Sequence, residues 1–190
     1  INTENQAQNT TASSANLSHS ALHEKHKQYL PNWLSTFYEE PIAIVRGEGC
    51  EVYDAHDNKY LDFFAGILTN MVGYNIPEIN EAVSTQMKNI VHTSTLYLIP
   101  EMIELAERIA DLSGIENAKV FFTSSGSEAN DAALLLASTY RQSNQIFAMR
   151  NSYHGRSFST MPVTGNRAWS ASSFSPFQTS YVHGAYKFRS

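Results

Sequence analysis

The sequence predicts an α/β protein in which an N-terminal helix and a small antiparallel β-meander precede the first part of a parallel-sheet domain. Three observations lead there: short β-rich runs broken by Gly and Asp/Asn between residues 42 and 63, amphipathic periodicity from Pro77 onward, and a strand, helix, strand order between Val120 and Met149. A chain of 190 residues with 42% hydrophobic and 16% charged residues has the composition of a globular protein, large enough for one core or a domain and a fraction. Thirteen Lys+Arg against eighteen Asp+Glu leave a net charge of −5 and no basic block, which argues against nucleic acid or an anionic membrane as the main partner. No run approaches the ~20 apolar residues that span a bilayer. Cys50 is the only cysteine, so no intrachain disulfide framework or cysteine metal cluster is expected, in keeping with a cytoplasmic location.

Residues 1–16 are rich in Asn, Gln, Thr, Ser and Ala with one charge, Glu4, and read as a disordered tail. From Ser18 a helix-compatible segment runs to about Phe37, broken or kinked at Pro31, with Leu22, Leu30, Trp33 and Leu34 as apolar anchors. His19, His23 and His26 share one face of it. A metal site can be drawn there, but no carboxylate or cysteine joins them at ligand spacing except Glu24, off the face, so they read as a solvated polar face and no metal site is expected. The runs Ile42 to Asp54 and Lys59 to Phe63, separated by Gly47/Gly49 and by Ala55-His56-Asp57-Asn58, predict the meander. Cys50 within it reads as an apolar filler.

Ile79, Val83, Met87 and Ile90 recur at helical spacing after Pro77, and Met102 to Leu112 carry a broad apolar face after Pro100, with Gly114 in the C-cap position. Val120-Phe121-Phe122-Thr123 and Ile146-Phe147-Ala148-Met149 read as buried strands flanking a helix over 128–141, a βαβ crossover. Ligands bind such sheets outside the carboxyl ends of the strands, which singles out the loops after Thr123 and Met149. The organisation read from the sequence is therefore the tail at 1–16, a helix and meander segment at 17–75, and the first part of a large domain at 76–190.

The first loop, Thr123-Ser124-Ser125-Gly126-Ser127-Glu128, puts small residues at a helix entrance, where unpaired amides and the helix dipole favour a phosphate. Gly126 permits close approach and Ser127 adds a hydroxyl. A plain capping box of Ser125 and Glu128 explains those two residues without a ligand. The acidic Glu128 and Asp131 must point away from any anion or be paired. The second loop, Asn151-Ser152-Tyr153-His154-Gly155-Arg156, offers Tyr153 as a cover for a planar heterocycle. His154 is open between general base and structural histidine, and Arg156 between carboxylate partner and loop cap. P-loop, dinucleotide and serine-hydrolase motifs are missing.

With these loops, the sequence resembles the class III (omega-type) aminotransferases, pyridoxal-phosphate enzymes of fold type I. The resemblance runs from about Leu30 to Ser190 and rests on Tyr60-Leu61-Asp62-Phe63-Phe64-Ala65-Gly66-Ile67, on Phe122 to Asn130, and on Asn151 to Ser157, in that order. It implies a partial fold-type-I transferase and pyridoxal 5'-phosphate as cofactor. It further implies a phosphate held at Gly126 and Ser127, a pyridine ring under Tyr153, and His154 in the same loop. An amino donor, an oxo acceptor and a homodimer are the expected partners. The family often carries G-H-x-H-P where this chain has Gly73-Tyr74-Asn75-Ile76-Pro77, a departure that bears on substrate more than on cofactor. The family's Schiff-base lysine and its aspartate for the ring nitrogen lie downstream of the second loop. None of Lys25, Lys27, Lys59, Lys88, Lys119 and Lys187 matches that lysine, so the catalytic residue is unknown here. The chain is expected to be the N-terminal portion of the enzyme, inactive alone; the alternative is a non-catalytic relic or anion-binding module. Tyr97 is a loose candidate for the substrate entrance.

Overall fold

The computed structural model describes residues 18–34, 36–170, 174–185 and 188. The predicted tail lies outside them. The chain forms two compact units that divide between Tyr97 and Leu98.

In the first unit, α1 (His19–Tyr29) starts where the Ser18 hydroxyl accepts from the Ala21 amide at 3.3 Å. It ends at Leu30 because the residue before a proline is driven out of helical geometry, and Pro31 follows. The helical reading therefore stops at Pro31 rather than continuing beyond it to Phe37. Strands β1 (Ile44–Glu48), β2 (Glu51–Asp54) and β3 (Lys59–Leu61) form the expected antiparallel meander in the order β1-β2-β3. The β2–β3 turn is built on buried Asp54. Its Oδ1 accepts from the amides of His56 (2.8 Å) and Asn58 (3.0 Å), and its Oδ2 from the Asn58 side chain (2.9 Å) and the Tyr60 hydroxyl (3.0 Å). Burial pushes that carboxyl's pKa up, but those hydrogen bonds outweigh it and hold the group well below the usual carboxylate range.

After the meander, α2 (Ala65–Leu68) is a single turn whose four residues all have positive φ, from 47° to 65°. A left-handed turn disfavours side chains with a Cβ, most of all β-branched Ile67. It is anchored by Asp62, whose Oδ1 accepts from the Phe64 and Ala65 amides (2.7 and 3.0 Å) and whose Oδ2 accepts from the Tyr74 hydroxyl (2.7 Å). The Tyr74 bond, with the two amides, also lowers the Asp62 pKa. Helix α3 (Pro77–Asn89) follows with proline in its first turn, as its sequence predicts.

The second unit holds α4 (Pro100–Ser113), α5 (Gly126–Arg141), β4 (Gln145–Met149), α6 (Thr160–Val163) and β5 (Gln178–Val182). Gly114 closes α4 in the left-handed region, the cap expected there. The parallel pair is β4 with β5, in register from Gln145↔Gln178 to Met149↔Val182. The Val120–Thr123 strand is a correction. Among the described residues that segment joins no sheet, and Phe121 is exposed. A strand exists only as one side of a hydrogen-bonded ladder, and apolar composition alone supplies no partner. The βαβ crossover read between Val120 and Met149 is thus replaced by a β4–β5 crossover that carries the 150–177 segment. Val52, Ala148 and Val163 are the buried hydrophobic residues among those described. The apolar faces of α3 and α4 remain exposed at Ile79, Val83, Met87, Ile103, Leu105 and Ile109.

Candidate functional site

The site is assembled in the second unit by α5 and the loop that leaves β4. Ser125 caps α5: its hydroxyl accepts from the Glu128 amide at 3.2 Å and donates to Glu128 Oε2 at 3.3 Å. The same carboxylate oxygen accepts from the Ser124 amide at 2.9 Å, so Glu128 turns back on the preceding residues and its charge is engaged there. Asp131 is paired as well, through Oδ1, by the hydroxyls of Ser157 and Ser159. Both acidic residues that stood against an anion at this turn are accounted for by protein donors.

The first amides of a helix have no partner within it. Among the described residues, no protein acceptor takes the amides of Gly126 and Ser127. A Cβ built on Gly126 meets nothing within 4 Å, so the protein's own packing does not call for glycine there. The space beside Gly126 is open, and the helix dipole places partial positive charge at this end of α5. Ser127 Oγ accepts from the Arg156 amide at 3.3 Å, which leaves its hydrogen to donate elsewhere. These features fit a phosphate group.

The second loop is held against the same helix. Asn130 Nδ2 donates to the carbonyl of His154 at 2.8 Å, and Ser157 reaches Asp131 at 2.8 Å. Gly155 is buried with φ +127°, and a Cβ there would collide with Ser127 Oγ and Thr160 Oγ1. Glycine at this position is what lets loop and helix meet. Buried Thr164 completes the anchor, its hydroxyl accepting from the His154 amide at 3.1 Å. His154 is therefore fixed through its backbone on both sides. Tyr153 is half exposed and packs edge-on against Trp169, with centroids 5.8 Å apart and planes at 89°.

Gly126, Ser127, Tyr153 and His154 thus lie in two segments that the fold joins directly. Sequence reasoning missed the anchoring roles of Asn130 and Asp131, of Thr160 and Thr164, and the contact of Trp169. A polar pair one turn inside a helix, facing a loop rich in Ser and Thr, was the available signal for the first of these. Tyr97 belongs to the first unit, where its amide donates to the Ser94 carbonyl at 3.3 Å.

The Aminotransferase class-III family matches residues 35–189. The chain belongs to that family. It is 34% identical over 153 residues to the acetylornithine aminotransferase of Methanothermobacter thermautotrophicus, covering 80% of this chain and 38% of that protein. An omega-transaminase from Thermomicrobium roseum superposes with a TM-score of 0.77 at 32% identity, over 91% of this chain and 42% of the other. An omega transaminase from Pseudomonas jessenii in complex with PMP gives 0.75 at 26% identity, over 88% and 40%. The chain spans about two-fifths of the length of these relatives. Class III aminotransferases work with pyridoxal 5'-phosphate, and the α/β architecture with a parallel pair and an antiparallel meander is that of their fold type. No described helix is long and apolar enough to cross a membrane.

Proposed function

We propose that this chain supplies the phosphate cradle and ring cover of an aminotransferase that moves an amino group from an amino acid or amine to an oxo acid or aldehyde. The observation that carries this reading is the open space at Gly126, where two amides have no protein acceptor among the described residues, beside a loop that is itself pinned to the helix. Open amides are common to helix starts; what sets this one apart is their combination with an open glycine, a hydroxyl free to donate and a loop fixed beside it.

In this reading the Gly126 and Ser127 amides and the Ser127 hydroxyl bind the cofactor phosphate, and Tyr153 lies over the ring with Trp169 steadying it from the side. When bound, pyridoxal phosphate supplies the electron sink that lets a substrate amino carbon release its proton. Asn130, Asp131 and Thr164 orient, holding the 153–157 loop at one height above the helix end. The two sides of the site are thereby set before the cofactor arrives, which lowers the ordering cost of binding. Assembly as a homodimer belongs to the same proposal.

Absorption spectroscopy of the full-length protein tests it. A visible chromophore that borohydride bleaches, together with amino-group transfer from a panel of amines and amino acids, is the expected result. A full-length protein without chromophore overturns the enzyme reading in favour of a non-catalytic relic.

A further inference from the structure

The first unit gathers a different set of ligand-type side chains. His19, first residue of α1, meets His56 and Asp54 of the β2–β3 turn, and one ligand atom from each of the three lies within 4.8 Å of the others. The two rings sit 4.7 Å apart at 67°. His19 Nε2 is 3.8 Å from Asp54 Oδ2. That nitrogen is buried and has no hydrogen-bond partner. His23, Glu39 and Glu40 line the adjoining cleft with His19 and His56.

A buried ring nitrogen without a partner is costly, and 3.8 Å is too long for a hydrogen bond to relieve it. It is close to the separation of two ligand atoms that share one cation at bonds of about 2.1 Å. Two imidazoles and a carboxylate suit borderline transition metals, whereas magnesium and calcium take oxygen ligands. We propose that His19, His56 and Asp54 bind a divalent transition-metal ion of the zinc type, which clips α1 to the meander. On binding, Asp54 Oδ2 exchanges the Asn58 side-chain amide for the cation and keeps the Tyr60 hydroxyl, while Oδ1 keeps the two backbone amides that orient it. The sequence grouped His19 with His23 and His26 along one helix face. The fold instead pairs it with residues from a turn, a combination that helical periodicity does not display.

The site is independent of the aminotransferase reading, and its test leaves the cofactor in place. Full-length protein is stripped with a chelator and titrated calorimetrically with zinc chloride, beside the variants His19→Ala, His56→Ala and His26→Ala. One equivalent of zinc is expected to bind wild type and His26→Ala alike, with each of the other two variants weakened roughly tenfold or more. Circular dichroism shows whether those variants are folded, and His56→Asn replaces His56→Ala if it is not. The proposal is overturned if wild type takes up no zinc, if His19→Ala and His56→Ala bind as wild type does, or if His26→Ala loses as much as they do.

Discussion

The turn at Gly126 and the turn at Asp54 do related chemistry with opposite outcomes. At Asp54 an anion is held by two backbone amides, a side-chain amide and a phenol, and the anion belongs to the chain itself. At Gly126 the amides are presented with no acceptor from the protein, and the neighbouring carboxylates are turned aside and occupied. The first turn is complete as folded. The second leaves its amides open, and in the proposed function a ligand completes it. Backbone donors at a helix start are routinely open, so here they inform only together with the open glycine, the hydroxyl free to donate and the carboxylates turned aside.

The largest expected effect tests whether the ligand-side loop depends on close approach. Gly155→Ala places a methyl group against Ser127 and Thr160 at φ +127° and should cost about 3 kcal/mol, combining backbone strain with overpacking. Chemical denaturation of the full-length protein measures it, and cofactor affinity should fall in parallel. An unchanged midpoint would separate the loop from the helix. Next comes Asp131→Ala, which removes the acceptor of the Ser159 hydroxyl and one partner of the Ser157 hydroxyl, Thr160 remaining to the latter, and should cost about 2 kcal/mol, as expected for hydrogen bonds to a charged group. Its cofactor affinity should drop although the residue sits behind the loop.

These residues also mark how far the sequence could be read. The meander, the helix starts at Pro77 and Pro100 and the Gly114 cap were legible, since each depends on local chemistry: turn residues, proline at a first turn, a left-handed glycine. Tyr153 stood out as an aromatic residue in the loop after β4 and Gly126 as a small residue at a helix start, although the strand expected before Gly126 is not among the described elements. The missing strand at Val120–Thr123 shows the limit, for a strand needs a partner that its own composition does not name. Asn130 to His154 and Asp131 to Ser157 are contacts across two dozen residues, and no periodicity encodes them. The left-handed α2 was hidden for a different reason: Ala65, Ile67 and Leu68 have no intrinsic preference for that geometry, and Asp62 holds them there through bonds seen only after folding.

A smaller change in stability, with a sharper contrast, comes from Gly126→Ala. Its Cβ enters open space, and alanine restricts the unfolded chain, so stability should hold or rise by up to about 1 kcal/mol. The same methyl occupies the approach to the amides, and the affinity for pyridoxal 5'-phosphate should fall about tenfold, or ~1.4 kcal/mol. Equilibrium dialysis and thermal melts of one sample give both numbers. Gly155→Ala must lose both properties while Gly126→Ala loses only one; if the two glycines behave alike, Gly126 is there for packing and the cradle is wrong.

The smallest effect belongs to the completed turn and is read against pH. The Asp54 carboxyl has a folded pKa below its unfolded value, near 3.9, so its contribution is fully present above that value and is lost as pH falls below it toward the folded pKa. The neutral acid accepts poorly from the His56 and Asn58 amides, and protonation must unmake one side of the turn. Melting temperature plotted against pH should therefore decline below about pH 4, with Asp62 contributing in the same direction. Asp54→Asn, which is neutral throughout, should start from a lower plateau and show a shallower decline. Equal slopes for Asp54→Asn and wild type would mean that Asp54 does not hold its charge in the turn, and the contrast with Gly126 would lose its internal half.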